Sequence, residues 1–121
     1  MRQTIANILR EVALDHGLTI AALTGQARSR HIVRPRQEVY YRAFVECSHL
    51  SYPEIARRIG GRDHTTILHG VRAHCERIGI SYRQAVQIRK AGGPDFAFYV
   101  LAKGYERTMS KARNGGYREA A

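Results

Sequence analysis

Through residues 4 to 90, apolar side chains recur every three or four positions, and no segment alternates strictly between apolar and polar. A period near 3.6 builds helices with one buried face, whereas a half-buried strand needs a period of two. The chain is thereby confined to an all-α fold. Thr4 to His16 puts Ile5, Ile8, Leu9, Val12 and Ala13 on one side, and Gly17 supplies a left-handed stop. Thr19 can cap a short helix carrying Ile20 and Leu23, ended by Gly25. Residues 26 to 34 read as a polar, basic connection. Pro35 then suits the first turn of a longer helix with Val39, Ala43, Phe44 and Cys47 inward.

Further along, Ser51-Tyr-Pro-Glu54 has the spacing of a capping box, and the helix it opens turns Ile55, Ala56 and Ile59 to the core. Gly60-Gly61 ends that helix. Asp63 caps the next, whose Ile67, Leu68, Val71, Cys75 and Ile78 form an apolar stripe opposite His64, Thr65, His69 and Arg72. Gly79 stops it, and Ser81 to Lys90 forms one more helix. The composition shifts at Ala91-Gly-Gly-Pro94. Beyond it, Asp95 can cap a helix in which Phe98, Leu101, Ala102, Tyr105 and Met109 repeat at helical spacing. The expected organisation is a domain over residues 1–90 and a C-terminal helical appendage with a disordered tail over residues 91–121.

Charge decides which functions are open to such a bundle. Twenty Lys and Arg stand against ten Asp and Glu. That excess points to a polyanion, either nucleic acid or an anionic membrane surface. A membrane role is set aside, because no helix pairs a broad exposed apolar face with a basic one. No apolar run approaches the length of about 18 residues that a spanning helix needs, and the N-terminus lacks the apolar core of a secretory signal. Cys47 and Cys75, each inside an apolar pattern, read as buried free thiols of a cytoplasmic protein.

Catalysis and metal binding find little support. Ten acids are scattered rather than convergent, and no nucleophile elbow or Cys-His constellation is recognisable. Tyr40 and Tyr41 lack the Arg/His set that a recombinase tyrosine requires. His64, His69 and His74 are five residues apart, so they fan around a helix instead of sharing one face as metal ligands do at spacings of three or four. No enzyme activity, metal or cofactor is expected.

Two helices of unequal length joined by a tight turn at Gly60-Gly61 match a helix-turn-helix, in which the first residues of the second helix meet base edges in the major groove. Here these are Asp63, His64, Thr65 and Thr66. A carboxylate accepts from cytosine N4, threonine offers its methyl to a thymine methyl, and His64 can donate to a purine N7. For each of these residues alone, a plain cap or a polar first turn explains it as well.

The run Arg62-Asp-His-Thr-Thr-Ile-Leu-His69 after Gly60-Gly61, together with Arg28-Ser-Arg30 and Arg34-Pro-Arg-Gln37 upstream, closely resembles the signature of the C-terminal DNA-binding domain of the bacterial replication initiator DnaA. The resemblance covers about residues 3 to 90 and implies an all-α helix-turn-helix bundle of the DnaA C-terminal, Trp-repressor-like type. It implies that Arg28 enters the minor groove at the A·T-rich end of the DnaA box, TTATNCACA, where a narrow groove concentrates negative potential. It further implies that Asp63, His64 and Thr65 read bases, and that Thr66 and His69 lie near the backbone or groove wall. Arg36 and Gln37 fall at the start of a DNA-contacting helix, while Arg30 and Arg34 serve phosphates or structure. Arg62 at the turn, and Tyr52 and Pro53 at the start of the preceding helix, complete the expected DNA-binding set.

Three departures stand out. The stretch from Gln37 to Pro53 is one residue longer than the usual spacing of the family. Tyr52 replaces the leucine that commonly precedes the proline and touches thymine methyls. No G-x-x-x-x-G-K-[ST] phosphate loop is present, so the chain reads as a stand-alone domain without the ATPase part.

Between residues 26 and 90 there are 13 basic side chains (12 Arg and Lys90) and five acidic ones. Neutralising about five phosphates would give a salt slope near −4.5. The expected partner is double-stranded DNA, bound by a monomer on one asymmetric site in the cytoplasm, at the nucleoid. The replication initiator itself is a second candidate partner. The rival reading is an interaction protein that docks on the initiator or another partner through the aromatic residues of the appendage and uses DNA only weakly. Substituting Arg28 and His64 separates the two, since only a DNA reader needs them.

Overall fold

The computed structural model describes residues 3–92, and the expected C-terminal helix and tail, from residue 93 onward, lie outside them. Six helices follow one another: α1 (Ile5–His16), α2 (Ile20–Thr24), α3 (Arg30–Glu46), α4 (Tyr52–Arg58), α5 (His64–Ile78) and α6 (Tyr82–Lys90). Among the described residues there is no strand. The architecture is all-α, as the apolar period requires.

Local chemistry sets most boundaries. Thr4 accepts from the Asn7 N–H at the start of α1, and Gly17 closes its end at φ 65°. Thr19 caps α2 in the same way through Ala22. At the start of α4, Ser51 and Glu54 form a reciprocal capping box, and Ser81 with Gln84 forms another at α6. Gly79 ends α5 at φ 80°.

The long helix departs from expectation. It starts at Arg30 after Ser29, with Pro35 inside it and not in its first turn. Ile32 and Val33 both donate to the Ser29 carbonyl, at 3.0 and 2.9 Å, so the first turn closes before the proline is reached. Proline then removes the one i→i−4 bond that would have reached His31. Burial of the Pro35 ring and the anchoring of Arg36 offset that loss. The basic connection shrinks to residues 26–29.

The central helix, α3, packs against each of the other five, and α5 also meets α4 and α6. Ile8, Val12, Leu23, Val39, Ala43, Ile55, Ile59, Ile67, Val71, Ala85 and Ile88 make a continuous core. Cys47 and Cys75 are buried in it as free thiols. Burial raises Cys75 to a pKa of about 11, which makes it an inert packing group. Ile78, expected in the apolar stripe of α5, is 45% exposed at the end of that helix, and Ile20 at the start of α2 is 42% exposed.

Close approach of α3 and α5 depends on Gly70. A Cβ there would sit 2.3 Å from Cδ2 of the buried Tyr40 ring. The turn between α4 and α5 is likewise held near α2, because a Cβ on Gly60 would sit 2.5 Å from the Thr24 carbonyl oxygen. Gly60 and Gly61 both have positive φ, 76° and 70°, which glycine adopts without strain.

Candidate nucleic-acid interface

With its Gly60-Gly61 turn and capped second helix, the α4–α5 pair presents the first turn of α5 to solvent. Asp63, His64, Thr65, Thr66 and His69 are all exposed. Asp63 accepts from the Thr65 N–H at 2.8 Å and from the Thr65 hydroxyl at 2.7 Å. The Thr65 hydroxyl, then its N–H, holds this carboxylate below its ordinary pKa. One carboxylate oxygen is thus occupied by the cap, and the imidazole Nδ1 of His64 lies 3.7 Å from that same oxygen. Capping and groove contact are compatible, since a cap uses one lone pair of a group that has several.

Helix geometry arranges the rest. At about 100° per residue, Thr65, His69 and Arg72 line up on the side opposite Ile67, Val71 and Cys75. These three are exposed, and the apolar three are buried. Arg72 is the member of this strip that the motif-based reading left out of the binding set. The signal was its seven-residue spacing from Thr65. Its guanidinium lies over the Tyr82 ring, 4.9 Å from the centroid.

The basic residues upstream separate into two groups. Arg28, Arg30 and Arg34 are exposed; Arg28 lies in the connection before α3, and the other two lie in its first turns. Arg28 and Arg30 make no hydrogen bond or ion pair among the described residues. Arg62 donates to the carbonyl of Gly25, three residues before Arg28, and so ties that connection to the turn before α5. Gln37 is half-buried and accepts from Arg77. Burial, then the charge of Arg34, pulls Arg77 below the usual arginine value, which puts Arg34, Gln37 and Arg77 in one neighbourhood.

Arg36 differs from the expected solvent-facing contact. It is 6% exposed, and Nε, Nη1 and Nη2 donate to the carbonyls of Leu23, Ala27 and Ala22 at 2.9, 2.8 and 2.9 Å. Its fork closes the C-terminal end of α2, where carbonyls lack helical partners. This arginine is a brace between α2 and α3. Arg89 does the same for the end of α3, donating to Phe44, Ser48 and Leu50 carbonyls. Arg42 pairs with Glu46 and Glu11. Several of the positive charges counted in the sequence are therefore committed inside the protein.

Tyr52 also differs from the expected methyl-contacting position. It is half-buried, its ring stacks on Phe44 with centroids 5.1 Å apart, and its hydroxyl is 2.8 Å from that of Tyr82. Burial, then the Tyr82 hydroxyl, raises its pKa well above the ordinary phenol value. Pro53 next to it is exposed. Among the described residues no three His, Cys, Asp or Glu side chains gather where they could hold a metal ion, and no helix is long and apolar enough to cross a membrane.

Residues 5–73 match the family model described as "Bacterial dnaA protein helix-turn-helix". Over 69 residues the chain is 49% identical to the chromosomal replication initiator protein DnaA of Cereibacter sphaeroides, and 45% identical to that of Herpetosiphon aurantiacus. It is 44% identical over 71 residues to that of Caulobacter vibrioides. These alignments cover 57–59% of this chain but only 14–15% of the relatives, so the chain matches about one seventh of their length.

Proposed function

The chain belongs to the bacterial DnaA helix-turn-helix family, a DNA-binding and not a catalytic unit, and from that premise we propose that it binds double-stranded DNA sequence-specifically at sites related to the DnaA box. Residues 1–90 make up the binding unit. In this reading α5 lies in the major groove, with Asp63, His64 and Thr65 at base edges and Thr66, His69 and Arg72 toward the groove wall. Arg28 enters the adjacent minor groove and Arg30, Arg34 and Pro53 approach the backbone, while Arg62 holds the connection that bears Arg28 against the turn. One domain covers one asymmetric site, so neither a palindrome nor a dimer is required. In this reading it regulates or competes in replication initiation or transcription.

A single observation carries the reading. The exposed first turn of α5 bears Asp63-His64-Thr65-Thr66 within the matched family region, and Arg62 ties the connection bearing Arg28 to the turn that precedes it. Base contacts give preference, whereas phosphate contacts give affinity alike on every sequence. Arg28→Ala should therefore cost about 1–3 kcal/mol on a box duplex and less on random DNA. His64→Ala should relax preference more than it weakens non-specific binding. Equilibrium titration of each variant on both duplexes tests this, and equal losses on the two would overturn the groove assignment.

A further inference from the structure

Tyr82 lies outside residues 5–73, the part of the chain that matches the family, yet it reaches the exposed strip of α5. Resting on the DNA-binding reading above, we infer that Tyr82 is a positioning residue. It holds Arg72 for contact with a DNA phosphate, and Tyr52 and Phe44 brace it.

Four observations converge on this. The Arg72 guanidinium stacks 4.9 Å from the Tyr82 centroid and, among the described residues, makes no ion pair or hydrogen bond. The charge of Arg72 reaches the Tyr52 phenol, so arginine and both tyrosines share one neighbourhood. Tyr82 cannot swing freely, because its hydroxyl meets that of Tyr52 at 2.8 Å and its ring stacks on Phe44 at 5.8 Å. The Ser81–Gln84 capping box fixes the backbone from which it projects.

Stacking on an aromatic face orients a planar guanidinium and leaves its N–H fork free for bidentate contact with a phosphate. Arg72 lies two helical turns beyond Thr65, about 10 Å along the axis. The major groove is about 8.5 Å deep. A helix that meets bases with its first turn brings a residue that far along to the groove wall, where the phosphates are. The Tyr52 substitution thereby gains a role. In place of a methyl contact, it supplies the hydroxyl that locks Tyr82 under Arg72.

The test is the salt dependence of binding by the full chain to a box duplex, with wild type, Arg72→Ala, Tyr82→Leu, Tyr82→Phe and the Arg72→Ala/Tyr82→Leu double variant. Leucine keeps apolar bulk without a π face, and phenylalanine keeps the ring without the hydroxyl. Each neutralised phosphate contributes about 0.9 to the slope of log K against log salt. Arg72→Ala should flatten the slope by about that amount, and Tyr82→Leu should flatten it too. The double variant should lose no more than Arg72→Ala, and Tyr82→Phe, which keeps the π face but loses the lock on Tyr52, should fall between wild type and Tyr82→Leu. A purely structural Tyr82 would lower the melting temperature and leave the slope of the folded protein unchanged. Wild-type slope in Tyr82→Leu, or additive losses in the double variant, would overturn the inference while leaving DNA binding intact. Absence of salt-sensitive binding by wild type would instead overturn the DNA-binding reading itself.

Discussion

Replacing Arg36 tests whether the basic run at the start of α3 serves DNA or the fold. Its guanidinium donates to three carbonyls from Ala22 to Ala27 while only 6% exposed. Arg36→Ala leaves three buried or half-buried acceptors without donors. Each such loss costs about 1–3 kcal/mol. The losses are not additive, because water enters the space left behind, and a net destabilisation of about 3–5 kcal/mol is expected. For a domain of this size, 1 kcal/mol moves the melting temperature by roughly 4–8 °C. A fall of about 15–30 °C should follow, read by far-UV circular dichroism. Arg36→Lys sharpens the point. An ammonium replaces a phosphate contact tolerably well but cannot fork to three carbonyls, so the lysine variant should also lose most of this stability. DNA affinity of the folded fraction, measured well below the transition, should stay within about twofold, since no phosphate contact is lost. A lysine variant that melts within a few degrees of wild type, or an alanine variant that keeps its stability and loses one phosphate from its salt slope, would refute the brace.

Gly70→Ala should lower stability by about 1–2 kcal/mol in urea titrations. The new methyl meets the Tyr40 ring at 2.3 Å, and overpacking of this kind costs more than the roughly 1 kcal/mol that alanine gains in a helix. His74, whose Nδ1 is buried without a partner, should make the fold sensitive to mild acid. Burial lowers its pKa below 6.5, so the unfolded chain takes up a proton more readily than the native one. Its contribution is present above pH 6.5 and is lost as pH falls through the lower folded value. Melting curves from pH 7.5 to 5.5 should show this loss in wild type and less of it in His74→Gln.

Much of the fold is legible because it is written locally. Thr4, Thr19, Ser51, Asp63 and Ser81 all cap helices, and Gly17 and Gly79 end them, through bonds spanning a few residues. The exposed run from Asp63 to Thr66 is readable for the same reason. What escaped the sequence depends on partners far along the chain. Arg36 looks like any other member of a basic run until the end of α2 and the connection after it, nine to fourteen residues away, fold over it. Pro35 marks a helix start by propensity, yet a first turn closed on Ser29 outweighs that signal. The Tyr52 hydroxyl finds Tyr82 thirty residues on, and Arg72 gains its stack from the same ring. Position in a motif marks the side chains expected at DNA, and tertiary contacts decide which of them are left free.

The central claim, sequence-specific DNA recognition by this helix-turn-helix, is tested most directly by titrating the purified chain against a labelled duplex carrying TTATCCACA and a scrambled duplex at about 150 mM salt. Specific sites are typically bound at least about a thousandfold more tightly than random ones, and a single short module falls toward the lower end of that range. A clear preference for the box is the predicted result. Equal, salt-sensitive binding to both duplexes would contradict it.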